Sequence, residues 1–186
     1  MNVVGTVELF YALLAVAANI FVIGLLGLAL ASRGSPTAQG WLAAIRSGLG
    51  SSALAGAFVV AAVATAGSLY FSEIAHFEPC RLCWYQRIAM YPLVVILGIA
   101  TWRSDPGVRR YAAPLAVIGA VLSTYHYLLE WFPSLESSVC SATTPCSVVW
   151  FRQLGFVSLP YLALSAFLLV LSLLWLAKAP DPDRGP

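Results

Sequence analysis

The feature that most constrains this chain is a set of five apolar stretches. A helix needs about 20 residues to cross a bilayer, and each stretch is close to or above that length. They cover residues 7–31, 49–72, 84–102, 111–131 and 159–177. The ten-residue alternating pattern of a membrane barrel does not occur, so helices are the spanning structure that fits. Of the 186 residues, 60% are hydrophobic and 10% are charged, which excludes a soluble domain with a charged shell. The sequence predicts an all-α integral membrane protein.

The basic residues predict how the chain is oriented in the membrane. Seven of them fall in alternate loops and in the tail, namely Arg33, Arg46, Arg103, Arg109, Arg110, Lys178 and Arg184. The positive-inside rule makes these loops cytoplasmic, with the N-terminus outside and the C-terminus inside. Every cysteine then lies on the extracytoplasmic face, where disulfides persist. The net charge of +2 is too small and too scattered for a nucleic-acid surface, so we expect the lipid bilayer and no nucleic acid as a partner.

The first apolar stretch has an alternative interpretation as a cleaved signal peptide, because residues 29–31 are Ala-Leu-Ala. Three features oppose it. A basic segment does not precede the stretch, Glu8 stands where Lys or Arg is expected, and the apolar run is too long. We therefore expect a transmembrane helix here. In the second stretch, small residues recur at four-residue spacing, which predicts close packing against a neighbouring helix; they are Ala53, Ala57, Ala61 and Thr65.

Two of the four cysteines precede the third span, in the sequence EPCRLCWYQR at residues 78–87. Only two residues separate Cys80 from Cys83, so their disulfide would close a small strained ring that opens easily. Arg87 follows Cys83 by one helical turn and would share its face, where a cation stabilises a thiolate. Arg87 could instead merely extend to the interface. Because charge within a membrane is expensive, we favour a seat for a quinone head group, with Trp84 on its rim.

The other two cysteines, Cys140 and Cys146, lie in a polar loop between the fourth and fifth spans. Such a loop should be exposed, so this pair could meet a soluble protein while the first pair stays at the membrane. A structural staple is the alternative for this pair. The presence of the Cys80/Cys83 pair favours a redox role.

These motifs resemble the disulfide-bond-formation protein B (DsbB) family, and more closely its shorter BdbC-like branch. The resemblance is carried by PCRLCWYQR at 79–87 with Tyr91-Pro92, by YHYLLE at 125–130, and by Pro145-Cys146 followed by LGF at 154–156 and LP at 159–160. It implies a DsbB-type four-helix bundle over residues 49–178. Residues 1–48 would add an extra N-terminal transmembrane helix and a cytoplasmic loop. Residues 179–186 would form a short disordered cytoplasmic tail.

The activity that the resemblance implies is that of a quinone-dependent thiol oxidase. Such an enzyme reoxidises an extracytoplasmic thioredoxin-fold protein of the DsbA type and passes the electrons to the membrane quinone pool, menaquinone or ubiquinone. By position, Cys83 would be the quinone-facing thiolate, Cys80 its relay partner and Arg87 the quinone-binding cation. Cys140 would form the mixed disulfide with the partner, and Cys146 would attack the first pair. The short spacing of the second pair leaves open which of its cysteines meets the partner.

His126 lies near the outer end of the fourth span, with Glu130 one turn further along. A histidine there could simply bond a neighbouring helix. Its match to the family segment near the quinone supports a second role, as a hydrogen-bond or proton donor to a quinone oxygen, because histidine titrates near neutral pH.

Three rival functions remain open from the sequence. The four cysteines could be metal ligands in a metal-binding or metal-uptake membrane protein, although the oxidising face opposes this. They could be staples in a structural protein. The chain could also be a reductase that sends electrons outward, although the Gln-Arg sequence after the first pair favours an oxidase.

Overall fold

The computed structural model describes residues 3–136, 140 and 145–177. Six α-helices account for most of these residues. They are α1 (Val3–Ala31), α2 (Pro36–Leu49), α3 (Ala53–Leu69), α4 (Arg81–Arg103), α5 (Arg109–Trp131) and α6 (Leu159–Leu176). A π-helical turn, Tyr70–Ile74, extends α3, and short 3₁₀ turns at Pro106–Val108 and Pro133–Leu135 flank α5. Within the described ranges no sheet forms. Five helical segments are long and apolar enough to cross a membrane, which confirms the predicted all-α membrane class and the five spans.

Four of the helices form a bundle in the cyclic order α3, α4, α5, α6, each packed on the next and α6 closing against α3. Small residues allow close contact. Ala57 and Ala61 of α3 are fully buried, as their spacing predicts. On α5, Gly119 faces the buried ring of Phe167 on α6, and a Cβ added there would overlap that ring. The core between the helices is completed by Leu93, Leu97, Val170 and Leu174.

Helix α1 packs outside this bundle, mainly against α6. It is the extra helix that the sequence predicts. The sequence predicts a loop after it, but most of this segment is α2, which begins with Pro36 and whose Arg46 lies 4.1 Å from the centroid of the Trp175 ring. The division into domains and the orientation of the chain in the membrane stay predictions. The predicted tail over 179–186 lies outside the described residues.

Candidate functional site

The start of α4 sets the geometry of the first cysteine pair. Cys80 is the N-cap of this helix, with extended backbone dihedrals, and its sulfur accepts a hydrogen bond from the backbone N–H of Cys83 at 3.4 Å. The next turn of the helix therefore returns Cys83 toward Cys80, and the two sulfurs lie 3.1 Å apart as free thiols. A helix N-terminus favours a negative charge. The pair can thus hold a thiolate and needs little movement to form a disulfide.

His126 connects the two cysteine pairs. It projects from α5, which packs against α4, and it is buried. Its Nδ1 lies 3.1 Å from the Gln86 amide nitrogen, so the amide donates and the proton of the neutral ring resides on Nε2. Nε2 lies 3.0 Å from the carbonyl oxygen of Cys146 and 3.7 Å from the Cys80 sulfur. The same N–H therefore points at the first pair and at the backbone of the second.

The surroundings of Cys80 stabilise its thiolate. A hydrogen bond from the Cys83 thiol is the largest cause that lowers the pKa of Cys80, from 9.0 to about 4. Burial opposes this shift, whereas the hydrogen bond from His126, and the charge of its ring when protonated, support it. A lowered pKa is typical of a reactive cysteine, whereas burial among apolar groups alone raises the pKa of a cysteine.

Cys140 and Cys146 are joined by a disulfide. Glu136 holds the loop in place, since one carboxylate oxygen accepts the Cys146 N–H at 2.6 Å and the other accepts the Ser147 hydroxyl at 2.8 Å. Cys146 is fully buried and packs in one cluster with Cys80, whereas Cys140 lies at the edge of that cluster and is partly exposed. The polar loop predicts that both cysteines are exposed, but Cys146 faces inward.

A cavity of about 710 Å³ opens beside the first pair, between α1, α3, α4 and α6. Its walls are almost entirely apolar, and Cys83, Gln86 and Arg87 stand together at one end. Arg87 donates from Nε to the Ser68 hydroxyl at 3.0 Å and from Nη2 to the Ser68 carbonyl at 3.1 Å. The predicted arginine therefore shares a cavity with the predicted thiolate, and both of these bonds fix the plane of its guanidinium.

The other predicted residues occupy different places. Trp84 is half exposed and its ring centroid lies 5.1 Å from the Arg87 guanidinium carbon. Neither Trp84 nor His126 is among the residues that line the 710 Å³ cavity. His126 instead borders a small cleft that it shares with Cys80, Cys83 and Cys146. The catalytic and quinone-binding roles assigned from the resemblance stay predictions.

Three residues of the site are not among the site residues predicted from the sequence. Gln86 stands in the first cysteine motif, three residues after Cys83 on α4, and reaches His126 on α5. Ser68 and Glu136 carry no signal in the sequence, because their contacts with Arg87 and with the Cys146 loop are made across the fold. The Gln-Arg pair directly after the cysteine motif is the one available hint.

Metal binding has a partial donor set in the described residues. Ligand atoms of Cys80, Cys83 and His126 all lie within 4.8 Å of one another, and thiolate and imidazole are the ligands that zinc prefers. A second group combines Glu136 with Cys140 and Cys146, but the disulfide occupies both of its sulfurs. The site with four thiolate ligands that the sequence left open is therefore not formed in this structure.

Comparison with known proteins gives consistent matches. The family described as "Disulfide bond formation protein DsbB" matches residues 50–177. "Disulfide bond formation protein C" of Bacillus subtilis is 49% identical over 127 residues, which cover 68% of this chain and 92% of the relative. "Probable disulfide formation protein" of Coxiella burnetii is 44% identical over 116 residues, covering 61% and 79% respectively. No solved structure matches the chain.

Proposed function

The chain belongs to the DsbB family of disulfide bond formation proteins, and from that premise we propose that it is a quinone-dependent thiol oxidase. Membership supports a disulfide-forming membrane oxidoreductase that works with a thiol–disulfide partner. The finer proposal is that it reoxidises an extracytoplasmic thioredoxin-fold protein of the DsbA type and delivers the electrons to membrane quinone. The observation that carries the proposal is the thiol pair 3.1 Å apart, with Cys83 at the polar end of an apolar cavity.

The proposed reaction begins at the second pair. A thiolate of the partner attacks the Cys140 sulfur, and Cys146 leaves as a thiolate. The second thiol of the partner then resolves the mixed disulfide, which leaves the partner oxidised and Cys140/Cys146 reduced. Partial exposure of Cys140 and burial of Cys146 support this order.

Electrons then pass to the first pair. The Cys146 thiolate attacks the Cys80 sulfur of a Cys80–Cys83 disulfide, Cys83 leaves, and Cys140 closes the second disulfide again. His126 lies between these groups, where its Nε2–H can stabilise the Cys80 thiolate. The resulting state, with one disulfide in the second pair and two thiols in the first, is the state of the present structure.

The last step regenerates the Cys80–Cys83 disulfide at the cavity. The quinone supplies the oxidising power, since it accepts two electrons and two protons. The chain supplies a thiolate, a cation at Arg87 and a cavity with almost entirely apolar walls. Over one cycle the partner dithiol loses two electrons and two protons, and the quinone gains them.

Single replacements of the cysteines test this proposal. Purified protein is supplied with a reduced thioredoxin-fold partner and a quinone, and quinone loss is followed by its absorbance. Cys83→Ser should abolish quinone reduction, and Cys146→Ser should do the same with this partner, because it leaves no second disulfide for the partner thiolate to attack. A partner whose second thiol is replaced by Ser should instead accumulate a mixed disulfide with Cys140 of the unchanged chain on non-reducing gels. If a protein lacking both Cys140 and Cys146 oxidises the partner at the wild-type rate, the second pair is only a staple and the relay is wrong.

Metal binding is the second candidate, because Cys80, Cys83 and His126 bring three ligand atoms together. Its test is the metal content of protein purified without chelators. One equivalent of zinc that is lost in Cys80→Ser would support this function. Metal-free protein that reduces quinone would refute it.

A further inference from the structure

Polar contacts tie α1 to the bundle at two depths. Near its outer end, Glu8 accepts a hydrogen bond from the Gln153 side chain at 2.9 Å. Near its middle, Asn19 donates to the Ser165 hydroxyl of α6 at 2.7 Å. Polar side chains in a membrane span are costly unless they find partners. These bonds therefore fix the rotation of α1 as well as its position.

Tyr11 forms a third tie, and it crosses toward the cavity. Its hydroxyl donates to the Val63 carbonyl of α3 at 3.2 Å. The ring lies against Gly67, where an added Cβ would come within 2.6 Å of it. It also meets the Phe71 ring edge-on, with the centroids 5.7 Å apart. The absence of a side chain at Gly67 is what lets the α1 tyrosine reach α3.

One face of α1 lines the 710 Å³ cavity. The lining residues of α1 are Tyr11, Leu14, Ala15, Ala17, Ala18 and Phe21. Across the cavity, α3 contributes residues from Gly56 to Ser68, a length of about 18 Å at 1.5 Å per residue. The head group of a quinone would fill only the end near Cys83 and Arg87. Most of this length is apolar and lies beyond that end.

We infer that α1 is a specificity element that holds the prenyl tail of the quinone against α3 and α6. This inference rests on the proposed function. The supporting observation is that the apolar part of the cavity is continuous with the end that contains Cys83 and Arg87. Helix α1 lies outside residues 50–177, over which the family matches, so family membership assigns it no role.

The test compares two quinones that share one head group, one with a long prenyl tail and one with the tail cut to a methyl group. The full chain is placed in lipid nanodiscs, and a small dithiol supplies the electrons. Ala18→Trp should raise the KM for the long-tailed quinone about tenfold more than the KM for the short one, as expected for the loss of about two buried methylene groups. Ala18→Leu should act in the same direction with a smaller effect.

Ile20→Trp is the matched control, because Ile20 is 67% exposed and lies about 200° around the helix from Ala18. It should leave the KM ratio unchanged. An unchanged ratio in both Ala18 variants, or an equal change in Ile20→Trp, would overturn the inference. The inference would also be overturned if native mass spectrometry showed that Ala18→Trp loses a bound phospholipid while the KM ratio stays constant. Failure of the wild type to reduce either quinone would instead contradict the proposed function itself.

Discussion

Replacing His126 with Phe should raise the pKa of the Cys80 thiol and make the Cys80–Cys83 disulfide a weaker oxidant. The hydrogen bond from Cys83 is the largest cause of the low pKa of Cys80, and His126 adds a hydrogen bond and, when its ring is protonated, a charge. The replacement removes both contributions of His126 and leaves the burial that opposes them. A thiolate stabilised in the reduced pair makes reduction more favourable, so the pair oxidises other thiols more strongly.

The magnitude follows from the pKa. A pH of 7 is about three units above a pKa of about 4, so the Cys80 thiol is ionised, whereas an ordinary thiol is still protonated at that pH. At 1.36 kcal/mol for each pH unit, the thiolate stabilises the reduced pair by about 4 kcal/mol. For a two-electron couple this corresponds to about 90 mV. Since the hydrogen bond from Cys83 makes the largest contribution to the lowered pKa, His126→Phe should lower the reduction potential of the Cys80–Cys83 pair by roughly a few tens of mV.

The pH dependence has a definite sign. Because the pKa of Cys80 is lowered, the extra oxidising power is present above it and disappears as the pH falls through about 4. It grows with rising pH until an ordinary thiol also ionises. The difference between wild type and His126→Phe should therefore be largest well above pH 4.

The assay titrates the first pair alone. With Cys140 and Cys146 both replaced by Ser, the pair is equilibrated with a thiol–disulfide buffer, and the ultraviolet absorbance of the thiolate is followed against pH. His126→Gln keeps an N–H donor without the charge and should restore part of the potential. The reasoning is refuted if the wild-type thiolate titrates near its ordinary value, or if His126→Phe changes neither the pKa nor the potential.

Arg87→Gln should raise the KM for quinone, and Arg87→Lys should do so less, because lysine keeps the charge but loses the planar fork; quinone kinetics unchanged in both would contradict the role. Gly119→Ala should lower the free energy of unfolding by about 1–3 kcal/mol, because its added Cβ would clash with Phe167. Gly24→Ala is the control, since no atom lies near its added Cβ, and it should leave this free energy unchanged. Denaturation curves in detergent measure both variants. Arg109→Cys should place a thiol that resists an impermeant reagent in intact cells, and labelling from outside would contradict the proposed orientation.

The five spans can be predicted because apolar length is a property of the sequence itself. Their ends are less accurate. The third predicted span begins at residue 84 but α4 begins at Arg81, since a basic residue at a helix end is helical without being apolar. The prediction misses helix α2 because its 14 residues are too short to span and too polar to stand out. Its start does carry a signal, Ser35 followed by Pro36, which is typical of a helix N-terminus.

The candidate site is predictable only where its geometry is local. The spacing of Cys80, Cys83 and Arg87 along one helix is enough to place them near one another. The position of His126 between the two pairs depends on the packing of α4 against α5 and on the fold of the loop that carries Cys146. The sequence therefore leaves two roles open for His126, and neither includes its contact with the Cys146 carbonyl.

The polar residues of α1 argue that this helix does more than anchor the chain. An anchor would be more stable in lipid with an apolar side chain at Asn19, near the middle of the span. Asn19 instead bonds α6, Tyr11 bonds α3, and Glu8 bonds Gln153 in the segment before α6. Bonds at three depths allow one rotation of the helix, and that rotation turns Ala18 toward the cavity. A helix held in one rotation can present a defined surface to a long apolar ligand, which an unconstrained anchor cannot do.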